Sequence, residues 1–203
     1  SLRRHSKKQI PEGIDLNDLL CSSLAEQLTR SGADSKDIEL LLDHLSFPSN
    51  TGVYYVLLIQ FLTEDDPAAL MSALFAAALN VLRDSSYSCV GYYSDNNSTL
   101  CIVLNTPGGD SMEKVRHVLK GLAETIHQQL QVQLKISMSS SRNQLSQLRD
   151  AYLEAQTVQQ FHMFCDSKQI AFYTPQSLIR HPSMLFDAQG RQNLSLLLHR
   201  REA

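Results

Sequence analysis

The sequence lacks two features that mark common classes of protein. Basic residues are not in excess, because 18 Lys and Arg stand against 21 Asp and Glu, which gives a formal charge of -3. A nucleic-acid surface normally has the opposite balance, so we do not expect these residues to form one. No apolar run reaches the roughly 18 residues of a membrane-spanning helix, and the first residues do not resemble a signal peptide.

Motifs for metal binding and nucleophilic catalysis are also missing. The seven histidines form no HExxH or HxxxH pattern, no GxSxG segment is present, and the four cysteines include no CxxC pair. Cys89 and Cys101 flank a predicted hairpin, where a disulfide between them is conceivable. We favour two small buried thiols, and we assign no catalytic or metal-binding role to any of these residues.

A predicted β-hairpin is the feature around which the chain is organised. Two β-rich runs, Tyr87–Tyr93 and Thr99–Leu104, flank the polar segment 94–97, SDNN. Tyr, Val, Cys and Ile suit a half-buried pleated surface, whereas Asp and Asn tolerate the backbone of a tight turn. We therefore expect a hairpin in the middle of a sheet.

Patterned segments before the hairpin predict a central strand and three helices. Gly52–Leu62 is almost continuously apolar, which predicts a strand buried on both faces at the centre of the sheet. Pro67 opens a helix that is apolar around most of its circumference and should be heavily buried. Two amphipathic helices, over 15–31 and 34–47, precede the strand. We expect these two to pack on their own domain, with a partner chain as the alternative.

Segments after the hairpin alternate between helix and strand. Asp110 and Glu113 have capping-box spacing, so Asp110 is predicted to cap a helix, and Asn143 is predicted to cap a later one. Val132–Met138 and Ile170–Tyr173 are predicted strands. The resulting order predicts an α+β fold in which helices cover a mixed sheet.

The order and spacing of these elements resemble the GGDEF domain, the nucleotide-cyclase-like fold of diguanylate cyclases. Residues 91–104, GYYSDNNSTLCIVL, stand where that family has its R-Y-G-G-D-E-F hairpin and the strand after it. Leu134–Ser139 resembles a later strand of the family, with Ser137 where glycine is usual and Ser139 matching the family serine. The signature position is therefore held by Ser94, Asp95, Asn96, Asn97 and Ser98.

A narrower resemblance concerns residues 150–155, DAYLEA. This segment is similar to a helix motif of degenerate GGDEF-like domains in AraC-type transcription regulators of Gram-positive bacteria. In that group, the linker that precedes the helix-turn-helix DNA-binding domain reads like Tyr173, His181–Ser183, Leu194 and Leu198 of this chain. The resemblance covers roughly residues 19–203.

The matching positions lack the acids and glycines of a working cyclase. The resemblance implies one carboxylate near the end of the first strand and another in the signature, which together hold two metal ions. Here the strand ends with Gln60 and Phe61, and the acidic residues 64–66 follow only in the next loop. Asp95 has no glycine beside it, and we interpret it as a turn residue. The letters GGD occur in this chain at 108–110, after the second strand of the hairpin, and we interpret them as a turn followed by a helix cap.

These observations predict a domain with no catalytic residue, cofactor or metal. We expect residues 1–50 to form a basic tail and helical connector, 51–173 the GGDEF-like domain, and 174–203 a linker. The expected role is a cytoplasmic, homodimeric signal relay between an upstream sensor or receiver domain and a downstream helix-turn-helix domain. DNA would be contacted only through that downstream domain.

Three alternatives remain open. The nucleotide cleft that the resemblance implies could bind a nucleotide or cyclic dinucleotide without turnover. The chain could instead be an active cyclase with unusual ligands. The basic opening, with Arg3, Arg4, Lys7 and Lys8, fits either a solvated tail or the cytoplasmic flank of a membrane helix that precedes this sequence.

Overall fold

The computed structural model describes residues 16–30, 36–49, 51–62, 67–93, 99–108, 110–162 and 169–174. The strands in these residues are β1 (Val53–Leu62), β2 (Ser88–Tyr93), β3 (Thr99–Thr106), β4 (Gln133–Met138) and β5 (Ile170–Phe172). The helices are α1 (Leu16–Arg30), α2 (Lys36–His44), α3 (Pro67–Asp84), α4 (Met112–Leu130) and α5 (Leu148–His162). None of the helices among the described residues is both long and apolar enough to cross a membrane.

One mixed sheet, in the order β2-β3-β1-β4-β5, organises the fold. The strands from β2 to β4 pair antiparallel with their neighbours, whereas β5 runs parallel to β4. The predicted α+β class and the central position of β1 are confirmed. The hairpin does not lie wholly in the middle, because β3 borders β1 while β2 forms an edge.

The central strand β1 is apolar except at Gln60, as expected for a strand with both faces buried. Tyr55, Leu57 and Ile59 contribute to a core on one side of the sheet, with residues of α3 and α4. Tyr54, Val56 and Leu58 contribute to a second core on the other side, with residues of α1, α2 and α5. We refer to these sides as the α3–α4 face and the α1–α5 face.

The two N-terminal helices pack on their own domain, as we favoured. Leu24, Ala25 and Leu28 of α1 are completely buried in the same core as Val90 and Tyr92 of β2. The first helix therefore covers the edge strand of the hairpin rather than standing apart from the sheet.

Over residues 73–84, the part of α3 whose side chains are described, the predicted heavy burial is correct for one side of the helix. Leu74, Ala78 and Leu82 are buried, whereas Ala73 and Ala76 are exposed. A helix that lies on a sheet surface buries one stripe, and alanine favours helix without requiring burial. The apolar circumference thus reflects helix propensity as much as packing.

Both predicted helix caps are displaced by one or more residues. Ser111, not Asp110, is the N-cap of α4, and its side-chain oxygen accepts a hydrogen bond from the Lys114 N–H at 3.2 Å. Asn143 does not cap α5, because Arg142 bridges to Tyr54 and keeps the chain extended beyond it. A 3-10 turn, Leu145–Gln147, then precedes α5.

The cysteines of the hairpin are buried thiols on opposite faces of the sheet. Cys89 pairs with Leu104 and belongs to the α3–α4 core, whereas Cys101 pairs with Tyr92 and belongs to the α1–α5 core. Both are free, and burial raises the pKa of Cys89 to about 11 and that of Cys101 to about 12. The favoured prediction of thiols is confirmed for this pair, while Cys165 lies outside the described residues.

Two glycines give a matched test of packing at the hairpin. A Cβ atom on Gly91 would lie 2.8 Å from the Cys101 carbonyl oxygen, so we expect Gly91→Ala to lower the free energy of unfolding by about 1–3 kcal/mol. Gly121 lies within α4 with no atom within 4 Å of an added Cβ, so Gly121→Ala should raise it by about 0.5–1 kcal/mol. Urea denaturation measures both, and equal effects at the two sites would contradict the described contact.

Candidate functional site

The signature position lies at the tip of the hairpin, between Tyr93 and Thr99. Residues 94–98, with Asp95, and the acidic segment 64–66 fall outside the described residues, so the interpretation of Asp95 stays a prediction. The described residues beside the tip show what the fold places at this end of the sheet.

A row of polar residues crosses the sheet next to the tip. Gln60 of β1 pairs with Thr99 of β3 on one side and with Lys135 of β4 on the other. Gln60 is two residues beyond Leu58, so it belongs to the α1–α5 face. From α5, the Gln159 amide nitrogen donates a hydrogen bond to the Thr99 hydroxyl at 3.1 Å. We call Lys135, Gln60, Thr99 and Gln159 the polar row.

The polar row offers hydrogen-bond donors and one cation rather than carboxylates. Thr99 is buried, and the other three residues are half-buried. Within the described part of the chain, no three His, Cys, Asp or Glu side chains gather into a metal-binding group. Hard divalent cations prefer carboxylate oxygens, so Gln60 and its neighbours do not fit a two-metal centre.

The end of β2 that leads into the tip is held by α1. The Thr29 hydroxyl donates to the Ala25 carbonyl at 2.9 Å, so the Tyr92 hydroxyl, 3.0 Å away, donates to Thr29. The Arg30 guanidinium carbon lies 5.9 Å from the centroid of the Tyr92 ring. Burial raises the pKa of Tyr92 well above its usual value, so this hydroxyl remains a hydrogen-bond donor. The first helix is thereby joined directly to the hairpin.

The DAYLEA segment attaches α5 to the rest of the α1–α5 face. Ala151 and Ala155 are completely buried. The Glu154 carboxylate accepts hydrogen bonds from the Ser140 N–H at 3.0 Å, the Ser140 hydroxyl at 2.7 Å and the Arg142 guanidinium at 2.7 Å. This segment therefore has a structural role, in which two alanines pack and one carboxylate binds the chain that follows β4.

The serine that matches the family serine also has a structural role. The Ser139 hydroxyl accepts a hydrogen bond from the Val56 N–H at 2.9 Å and donates one to the Ser140 carbonyl at 2.9 Å. The Ser139 N–H donates to the Val56 carbonyl at 3.0 Å. The contacts of Ser140, Arg142 and Gln159 were not predicted, since each depends on a partner distant in sequence.

The GGD sequence at 108–110 lies between β3 and α4. Asp110 Oδ1 lies 2.8 Å from Lys114 Nζ, and this hydrogen bond lowers the pKa of the Asp110 carboxyl group. Tyr87 is buried beside it, and burial, with a smaller contribution from Asp110, raises the pKa of Tyr87 to about 12. The carboxylate is engaged by the protein itself, while Gly109 lies outside the described residues.

A pair of glutamates tests the role of the DAYLEA carboxylate. Glu154→Ala should lower the free energy of unfolding by about 1–3 kcal/mol, because it leaves partly buried donors unpaired. Glu113 lies 3.9 Å from Arg116 and its side chain is 80% exposed, so Glu113→Ala should change stability by less than about 0.5 kcal/mol. Thermal or urea denaturation makes the comparison, and a Glu154 effect no larger than the Glu113 effect would refute the structural role.

The buried tyrosine predicts an alkaline loss of stability. Since the folded-state pKa of Tyr87 is raised to about 12, the folded chain holds this proton more tightly than the unfolded chain does. The resulting contribution to the free energy of unfolding is fully present below about pH 10, the pKa of an exposed tyrosine. It is lost as the pH rises towards 12. Tyr87→Phe should therefore show a shallower decline of unfolding free energy across this window, measured by urea titration at each pH. If the unfolding free energies of the two proteins declined in parallel with pH, the folded chain would not raise the pKa of Tyr87.

Comparison with known proteins places the fold and this site in one family. No curated protein matches the chain. The family of GGDEF-like domains matches residues 30–161, a region that includes the hairpin, the polar row and the DAYLEA segment. This match covers more than half of the chain. The chain belongs to the family of GGDEF-like domains.

Proposed function

We propose that this chain is a non-catalytic signal-relay and dimerisation module of an AraC-type transcription regulator. It would couple an upstream sensor or receiver domain to a downstream helix-turn-helix domain in the same polypeptide. DNA would be bound by that downstream domain alone.

The chemistry of the polar row is the observation that carries this proposal. An amide, Gln60, lies at the end of β1 near the hairpin tip, between the pairing partners Thr99 and Lys135. Condensation of two nucleoside triphosphates needs metal ions held near the phosphates by carboxylates. The neutral amide of Gln60 is a poor substitute for a carboxylate. The positive charge of the neighbouring Lys135 also disfavours a metal cation beside it. We therefore propose that no nucleotide is turned over at this end of the sheet.

The contact between α1 and the hairpin supports the relay role. A displacement of α1 acts on β2 through the buried Thr29–Tyr92 hydrogen bond and through Arg30 above the same ring. Because a densely packed interior transmits small displacements, the first described helix is mechanically joined to the sheet. An upstream domain that moved this helix would act on the hairpin without any bound nucleotide.

The dimeric and AraC-type parts of the proposal have separate supports. Leu40 of α2 is 69% exposed and Leu19 of α1 is 44% exposed, so both helices carry apolar side chains available to a second copy. The AraC-type context is supported by the similarity of DAYLEA and of residues 173–198 to that group. A basic opening sequence favours a membrane-anchored form of the full regulator.

A second candidate function is supported by Lys135. Its position in the polar row, together with the hydroxyl of Thr99 and the amide of Gln159, provides a cation and hydrogen-bond donors for a phosphorylated ligand. In this alternative, the polar row binds a nucleotide or cyclic dinucleotide as a regulatory signal without converting it.

Calorimetry with GTP, ATP and cyclic di-GMP in the presence of Mg²⁺ separates these functions. The relay predicts no binding heat and no product, analysed by chromatography after prolonged incubation. Binding heat without product would replace the relay with the regulatory-site function. Formation of a cyclic dinucleotide would overturn both. Lys135→Gln is the matched variant, since it should abolish any heat that arises at the polar row.

A further inference from the structure

The strand β5 is the shortest strand of the described sheet, and its residues are only half-buried. It has three residues, pairs only with β4, and lies at the edge of the described sheet. All three residues are half-buried, whereas Val56, Leu57 and Ile59 of β1 are fully buried. Short, exposed edge segments are the parts of a fold that open locally at the lowest free-energy cost.

A cation–π contact from α4 fastens this strand. The Arg116 guanidinium carbon lies 4.5 Å from the centroid of the Phe172 ring, a separation typical of a stacked cation. Phe172 pairs with Met138 and packs against the core of the α3–α4 face, which α4 covers. The contact thus joins the last described strand to a helix on the same side of the sheet.

Other contacts of Arg116 are weak, which makes the ring its main partner. Its distance to the Glu113 carboxylate is 3.9 Å, and the Glu113 side chain is 80% exposed. Its Nε atom is buried without a hydrogen-bond partner among the described residues. The guanidinium is therefore positioned to stack on Phe172 rather than to form an ion pair.

A continuous path joins this contact to the hairpin. The hairpin strand β3 ends at Thr106, and the turn after it leads to the ion pair of Asp110 with Lys114 in the first turn of α4. Arg116 follows two residues later. On the far side of the contact, a compact unit of the fold ends at Phe172, and the chain continues towards the C-terminal segment.

We propose that β5 is a releasable strap, that Arg116 sets the fraction of molecules in which it is docked, and that its release is the output step of the relay. The output role rests on the proposed function, whereas the strap itself does not. The two states differ in whether Phe172 stacks under Arg116 and whether β5 pairs with β4. A signal that shifts α4 relative to β4 changes their balance.

Amide hydrogen exchange of the 203-residue chain, followed residue by residue by NMR, tests the strap. Arg116→Gln should accelerate exchange at Ala171, whose N–H faces β4 in this parallel pairing, by about 3- to 10-fold, since a cation–π contact contributes to closing the strand. Exchange in β1 and β3 should change by less than about 2-fold, because global stability is retained. Arg116→Lys, which keeps the charge but loses the planar stack, should give an intermediate value.

Two further variants complete the test. Glu113→Gln removes the weak ion pair and should leave exchange in β5 as in the parent chain. Phe172→Leu should accelerate exchange at Ala171 as Arg116→Gln does, and the double variant should add little, because both changes remove one contact. Unchanged exchange in Arg116→Gln, acceleration spread over the whole sheet, or additive effects would each overturn the strap. Nucleotide turnover would instead overturn the relay function and leave these exchange rates untouched.

Discussion

Burial of β1 on both faces is the constraint from which the rest of the structure follows. A strand that is apolar on both sides needs a helical layer on each side, and the alternating strand and helix segments supply two. Tyr55, Leu57 and Ile59 contribute to the core on the α3–α4 face, while Tyr54, Val56 and Leu58 contribute to the core on the α1–α5 face. On the α1–α5 face, α5 lies against β1 and β4, while α1 covers the edge strand β2 and completes the same layer.

The same constraint determines where polar chemistry can occur. At the end of β1 near the hairpin tip, the α1–α5 face changes from leucine at 58 to glutamine at 60, and the partners of Gln60 across the sheet are Thr99 and Lys135. The fold thus brings polar side chains of three strands together at the end of the sheet that leads to the hairpin tip. In this chain the site has amides, a hydroxyl and an ammonium group.

Sequence patterns predicted the elements well and the contacts between them poorly. The apolar run of β1 and the proline at the start of α3 each depend on neighbouring residues, so they are visible in one sequence. The predicted cap of α4 was wrong because Asp110 and Ser111 are both good capping residues. Ser111 caps the helix, while Asp110 forms an ion pair with Lys114. Of the polar row, the sequence pointed only to Gln60. Thr99 and Lys135 are distant from it in sequence and reach it through strand pairing. The contact of Arg116 with Phe172 has no local signal at all.

Conserving a fold and conserving a reaction place different demands on acidic residues. The three hydrogen bonds that Glu154 accepts hold the chain after β4 against α5, and a similar use of charge joins Asp110 to α4. A carboxylate engaged in this way stabilises the domain whether or not a nucleotide is present. Carboxylates that bind only metal give no such stability to the empty protein, because like charges held close together repel each other. The part of the sheet that holds Gln60, Thr99 and Lys135 therefore needs no bound metal for its stability, as the proposed relay role requires.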